Sequence, residues 1–190
     1  MSGFTFELGA EKIPRAARKK GTTSVLAGTA GPYGEVIVTL ELAPSQATLS
    51  APGLPDASAS HPDDLRNELL PVDQRTRLSV GGFTAVLGQN RRALRKEDRG
   101  LDIKLGDRNY TYLIPPDGGE ELRDRERGPL VRQHTDFKTG NTVVVVQPVA
   151  DTTDLALDLI LQVTDRSGLT VLRTAVVGVW TFLNSGEGNR

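Results

Sequence analysis

The chain reads as an α+β protein: an antiparallel β-rich barrel or curled sheet with one or two C-terminal hydrophobic helices packed in or against it. Three observations predict this class. Short alternating apolar–polar runs recur between glycine turns from residue 3 to residue 147. The stretch LDIKL-GD-RNYTYLI (101–114) specifies its own hairpin. After residue 150 the period changes, and DLALDLILQV (154–163) carries few β-branched residues and apolar positions at helical spacing.

The elements follow in order. In GFTFEL (3–8), Phe4, Phe6 and Leu8 fall on one face of a strand, with Thr5 and Glu7 on the other. EKIPRAARKKG (11–21) is basic and predicts one short helical turn begun by Pro14. A strand is expected at 22–27 and a turn at GPYG (31–34). EVIVTLEL (35–42) is a strong strand, placing Val36, Val38, Leu40 and Leu42 on one face. Ala, Ser, Pro and Asp then dominate, and residues 44–64 read as a long flexible loop. A short helix capped by Asp63 or Asp64 would follow at 63–70.

Strands resume with RLSV (77–80), a Gly81-Gly82 turn and FTAVLG (83–88). In the 101–114 hairpin a two-residue turn with Gly106 first sets the register. Leu105 should face Arg108, Ile103 Tyr110, and Leu101 Tyr112, with Leu101, Ile103, Tyr110 and Tyr112 inward. PPDGGEELRDRERG (115–128) predicts a turn and a solvated charged strand, PLVRQ (129–133) another strand, and TVVVVQ (142–147) a strand buried on both faces. Asp151 and Asp154 suit the start of a helix at 152–164. Ser167-Gly168 breaks it. Residues 169–183 form a second, nearly all-apolar helix, with a strand as the alternative, so that the C-terminal helical segment spans 152–183.

Composition bounds the rest. The 190 residues suffice for a single β-rich domain with one core, and 37% hydrophobic with 25% charged residues is an ordinary globular balance. Lys+Arg (23) nearly cancel Asp+Glu (24), and no aromatic residue interleaves the basic runs, so no nucleic-acid partner is expected. The absence of cysteine excludes disulfides, thiolate nucleophiles and Cys-ligated metals. MSGFTFELGAEK lacks the basic start and long apolar stretch of a signal peptide, which predicts a cytoplasmic protein. The uncharged TAVVGVWTFL (174–183) is too short for a spanning helix, which needs roughly 20 apolar residues, and Arg173 interrupts its upstream extension. A buried element is the better reading.

A faint repeat links GFTFELG (3–9) to GFTAVLG (82–88). At the same offset Gly21 meets Gly100, and a basic stretch follows in each copy. Lys12, Arg15, Arg18, Lys19 and Lys20 form one basic cluster; Arg91, Arg92 and Arg95, with Lys96 and Arg99, form the other. Two such clusters would suit an anionic membrane surface or a phosphate-bearing ligand. The plainer alternative is charge that keeps sheet edges from pairing.

The chain lacks a P-loop, a dinucleotide fingerprint, a nucleophile elbow and an HExxH motif, and no cofactor is expected. His61 in HPDD reads as a solvated loop residue rather than a metal ligand with Asp63 or Asp64, so no metal site is expected. His134 and Asp136, two residues apart, would share a strand face and could orient a base in a hydrolase-like enzyme.

From about residue 76 to 183 the chain resembles the tubby-like C-terminal superfamily, which includes phospholipid scramblases and plant LURP-one-related proteins. The resemblance lies in element order: LDIKLGDRNYTYLI, GPLVRQ and TVVVVQ, then ADTTDLALDLILQ, then the apolar stretch ending VVGVWTFL. It implies a closed antiparallel barrel around a hydrophobic helix, with 169–183 or 154–163 threading it, and a nonenzymatic module that binds anionic phospholipid. It carries over no residue role. The leading expectation is therefore a nonenzymatic binding module. The alternatives are an enzyme using His134 and Asp136, or a protein–protein adaptor whose 44–64 loop orders on contact.

Overall fold

The hairpin at 101–113 sets the pattern for the whole molecule. In the computed structural model, which describes residues 2–19, 21–63, 69–89, 100–136 and 138–165, strands β9 (Leu101–Leu105) and β10 (Arg108–Leu113) pair in the register the turn demands. Leu105 faces Arg108, Ile103 faces Tyr110, and Leu101 faces Tyr112. Gly106 has φ +61°, the positive value needed at the first position of such a turn. Leu101, Ile103, Tyr110 and Tyr112 are all buried, while Asp102, Lys104 and Asn109 are exposed.

The same alternation runs through β1 (Phe4–Ala10), β3 (Glu35–Glu41), β4 (Gln46–Ser50), β5 (Ala57–Ser60), β7 (Arg77–Val80) and β13 (Thr142–Val146), and the ring is completed by β2 (Thr22–Thr29), β8 (Phe83–Gln89), β11 (Glu120–Asp124) and β12 (Gly128–Thr135), with register shifts in the β2–β3 and β11–β12 pairs. With β9 and β10 these close into a 12-stranded antiparallel barrel in the order β1-β13-β12-β11-β10-β9-β8-β7-β5-β4-β3-β2. The ring closes through β1, which pairs with β13 on one side and β2 on the other. The sheet is thus a barrel and not an open curl. Its apolar-in, polar-out wall is the reverse of a lipid-facing barrel wall.

Two short strands, β6 (Leu70–Pro71) and β14 (Thr164–Asp165), pair in parallel outside the ring. Helix α1 (Arg15–Lys19) joins β1 to β2, and α2 (Thr152–Leu161) follows β13. The start of α2 is written in its acids. The Asp151 carboxylate accepts from the Thr153 and Asp154 backbone N–H groups, each at 3.0 Å, and the Asp154 carboxylate accepts from Asp151 N at 2.9 Å. Every residue from Asp154 to Leu161 is buried. The helix contacts β4, β5 and β7 on one arc of the ring and β12 on the opposite arc.

Because neighbouring strands alternate in direction, the connections sort onto two rims. The rim that carries α1 also carries the turns at 42–45, 114–119 and 136–141 and the β5–β7 connection. The other carries the turns at 30–34, 51–56, 81–82, 106–107 and 125–127 and the N-terminus of α2. Strands β1 and β8, which hold the repeated FT and LG residues, lie six places apart in either direction around the ring and run parallel. The ends of β8 and β9 that residues 90–99 join therefore lie on the α1 rim.

Several expectations are corrected. The 44–64 segment is not a long loop: it supplies β4 and β5. Its Ala/Ser composition resembles a linker, yet Ala47, Ala57 and Ala59 are buried. Small side chains suit this arc because α2 packs against β4 and β5 there. An adaptor reading that needs this segment to order on contact loses its premise. Leu42 leaves the buried series of Val36, Val38 and Leu40, because β3 ends at Glu41 and the chain turns at the rim. In β13, Val144 and Val146 are buried but Val145 is exposed, since only the inner face of a barrel wall meets the core. Helix α2 ends at Leu161, and Thr164 and Asp165 are strand. The helix expected at 63–70 falls largely on 64–68, and that expected at 169–183 falls entirely, outside the described residues.

Candidate functional site

The α1 rim is built from a short sequence. Pro14 starts the turn, and its carbonyl accepts from the N–H groups of Ala17 and Arg18. Ile13 is buried and ties the segment to the barrel. Lys12, Arg15, Arg18 and Lys19 are exposed. Among the described residues, Arg15, Arg18 and Lys19 enter no ion pair. Gly21 N donates to Arg18 O, and Leu42 N donates to Gly21 O at 2.8 Å, so the basic turn abuts the β3–β4 turn. Four members of the first cluster are thus brought to one rim. Lys20, Arg91, Arg92 and Arg95 lie outside the described residues.

The opposite rim holds a charged network that sequence reasoning missed. Asp154, fully buried, takes a two-pronged contact from Arg127, at 2.7 and 2.8 Å. Arg108 reaches it at 3.2 Å, the Tyr110 hydroxyl donates to it at 2.8 Å, and Arg108 also holds Asp151 at 2.7 Å. Arg127 further contacts Asp124 at 3.3 Å. Burial alone would raise the Asp124 carboxyl, but the Arg127 and Glu126 backbone N–H groups and the Arg127 guanidinium outweigh it and hold it below its usual range. The balance at Asp151 is the same: burial is overcome by the Asp154 N–H and by Arg108. Burial pushes the Tyr110 phenol up, so it stays a proton donor to Asp154. Beside this network the turns 107–109 and 124–127 line a polar cavity of about 300 Å³.

A second polar chain runs inside the ring. The Tyr112 hydroxyl donates to Glu120 at 2.5 Å, and the Gln133 amide donates to Asp158 on α2. Glu120, Gln133 and Asp158 are all buried. This corrects the solvated reading of EELRDRER. Glu120 and Asp124 point inward, and Glu121, although on the outer face, is covered by Arg123 and Arg132 at 2.8 and 3.0 Å. The missed signal was the spacing of Asp151, Asp154, Asp158 and Gln162, which marks one polar stripe on a segment whose remaining residues from 155 to 161 are Leu, Ile and Ala.

The histidines separate. His61 is buried, which overturns its reading as a solvated loop residue. Its Nδ1 accepts from Asp63 N at 3.0 Å, leaving Nε2 to donate to Asp73 at 3.1 Å. Asp73 also accepts from Arg75 N at 2.7 Å, and chiefly for that reason its carboxyl is lowered to about 2. Both His61 nitrogens are thus occupied by structural bonds. His134 is exposed, and the Asp136 carboxylate accepts from Lys138 N at 2.8 Å; no hydrogen bond joins His134 to Asp136.

Among the described residues no group of three or more His, Asp or Glu side chains is placed to hold a metal ion, and no helix is long and apolar enough to cross a membrane. Compared with known proteins, the chain matches no family model, no curated sequence and no solved structure.

Proposed function

We propose that the protein is a nonenzymatic binding module that docks on anionic phospholipid through the α1 rim. The observation that carries this reading is the group of exposed cations Arg15, Arg18 and Lys19, which have no carboxylate partner among the described residues. Elsewhere the arginines are largely consumed: Arg75, Arg108, Arg123, Arg127 and Arg132 are each held by acids. Unneutralised charge on one rim is what a negative surface attracts. The topology adds that the second basic segment, with Arg91, Arg92 and Arg95, joins strands whose ends lie on that same rim.

The kinship proposed with the tubby-like superfamily belongs to the same reading. Its support is the closed antiparallel ring followed by a buried helix, and α2 is the segment we place in the lumen. A 12-stranded ring is wider than its own side chains fill, so a central helix gives it a core.

The test is co-sedimentation with vesicles of phosphatidylcholine and phosphatidylserine. The protein should pellet at low salt and be released as salt rises. Replacing Arg15, Arg18 and Lys19 together by alanine should weaken binding about a hundredfold, at about 1 kcal/mol for each basic residue near the surface. No pelleting at any salt concentration would remove the proposal.

A further inference from the structure

The α1 rim carries an apolar feature as well as charge. Leu42, Ala43 and Pro44 are three consecutive exposed apolar residues at the end of β3. Leu42 is 45% exposed, whereas Val36, Val38 and Leu40, which precede it on the same face, are at 0%. Among the described residues nothing buries this turn, although its backbone is well fixed. Leu42 N donates to Gly21 O, the Ser45 hydroxyl donates to Leu42 O at 3.3 Å, and His61 N donates to Ser45 O. The anchoring Gly21 directly follows the basic segment, and its own N–H is held by Arg18 O. A rigid apolar tip thus stands beside Arg18 and Lys19.

We propose that Leu42, Ala43 and Pro44 form a membrane probe that enters the headgroup–acyl boundary of an anionic bilayer while Arg15, Arg18 and Lys19 sit at the level of the phosphates. The inference rests on the reading of the α1 rim given above and names the mode of contact. Charge decides which rim is used. The opposite rim also exposes apolar side chains, Phe83 at 62% and Val149 at 54%. There, however, Arg108 and Arg127 are held by Asp151, Asp154 and Asp124, and Asp56, Asp107 and Glu126 outnumber Arg125. An anionic surface has no reason to approach that end. On the α1 rim, apolar burial and charge attraction act together, as they do for proteins that lie in the membrane interface.

The chain has no cysteine, so one introduced cysteine gives one labelled site. Leu42→Cys, carrying an environment-sensitive fluorophore, should brighten and shift to the blue on vesicles containing phosphatidylserine and stay unchanged on pure phosphatidylcholine. Phe83→Cys with the same label, on the far rim, should stay unchanged on both. In an unlabelled background Leu42→Asp should weaken vesicle binding about tenfold, the worth of one partly buried leucine, with no change in melting temperature. If the protein pellets with acidic vesicles but the label at Leu42 stays in water, or responds no more than the label at Phe83, the probe is overturned while the basic rim stands. If nothing pellets, the rim reading itself has failed.

Discussion

At the scale of single residues, His61 and Asp73 show how the β5–β7 connection is held. Asp73 accepts from Arg75 N and His61 Nε2, while Thr76 Oγ1 accepts from Asp73 N at 2.9 Å and donates to Pro71 O at 3.0 Å. The Asp73 carboxyl is lowered from 3.8 to about 2, mainly by the Arg75 N–H. A carboxyl depressed on folding stabilises the fold above its unfolded value and ceases to do so as pH falls through its folded one. The contribution is therefore complete above about pH 4 and lost toward about pH 2. Asp73→Asn removes the titration, so its melting temperature should fall less across that window than that of the unaltered protein. Parallel curves for the two proteins would show that Asp73 contributes nothing to acid lability.

At the scale of elements, α2 is fastened at its N-terminal end by Arg127 and Arg108. Removing one partner of a buried ion pair leaves the other charge poorly compensated. Arg127→Ala should thus cost about 3 kcal/mol, the lower end of the usual range, because Arg108, Tyr110 and Asp151 N still hold Asp154. Arg127→Lys should recover only part of that, since an ammonium cannot reproduce the two-pronged contact. Arg125→Ala, two residues away and exposed, should change stability by less than about 0.5 kcal/mol. Urea unfolding midpoints check all three, and an Arg127→Ala midpoint equal to that of Arg125→Ala would remove the fastening role. The start of this helix was legible because Asp151 and Asp154 cap it locally, and the β9–β10 register because a two-residue turn leaves one pairing. The side-chain partners Arg127, Tyr110 and Arg108 of Asp154 were not legible, since they lie 27 to 46 residues away in sequence. Nor were β4 and β5: composition dominated the reading of their Ala and Ser residues, although QATLS and ASAS keep a period of two. The basic α1 segment could be read as a cluster, but its rim is a property of strand direction around the closed ring.

At the scale of the whole molecule, the ring is two successive six-strand meanders, β1 to β5 with β7, and β8 to β13. Their first strands carry the repeated FT and LG residues, each is seven residues long, and they stand half a ring apart. Closure falls on β1, which bridges β13 from the far end of the ring and β2 from the near end. The β1–β2 seam is short, pairing only Leu8 with Gly28, Gly9 with Ala27 and Ala10 with Leu26. Gly28 permits that close approach, because a Cβ there would lie 2.1 Å from the Glu7 backbone oxygen. No rotamer change relieves a clash with backbone, so Gly28→Ala must push β1 and β2 apart, at about 1–3 kcal/mol. Parting this seam also bares two strand edges, and bare edges recruit other chains. The expected outcome is a lower melting temperature together with self-association on size exclusion. Gly88→Ala provides the contrast: it also lies in a strand, but among the described residues its Cβ would meet nothing closer than the Asp102 Cβ at 3.8 Å, so it should stay monodisperse with little change in stability. If Gly28→Ala behaved like Gly88→Ala, the β1–β2 contact would not be what holds the barrel shut.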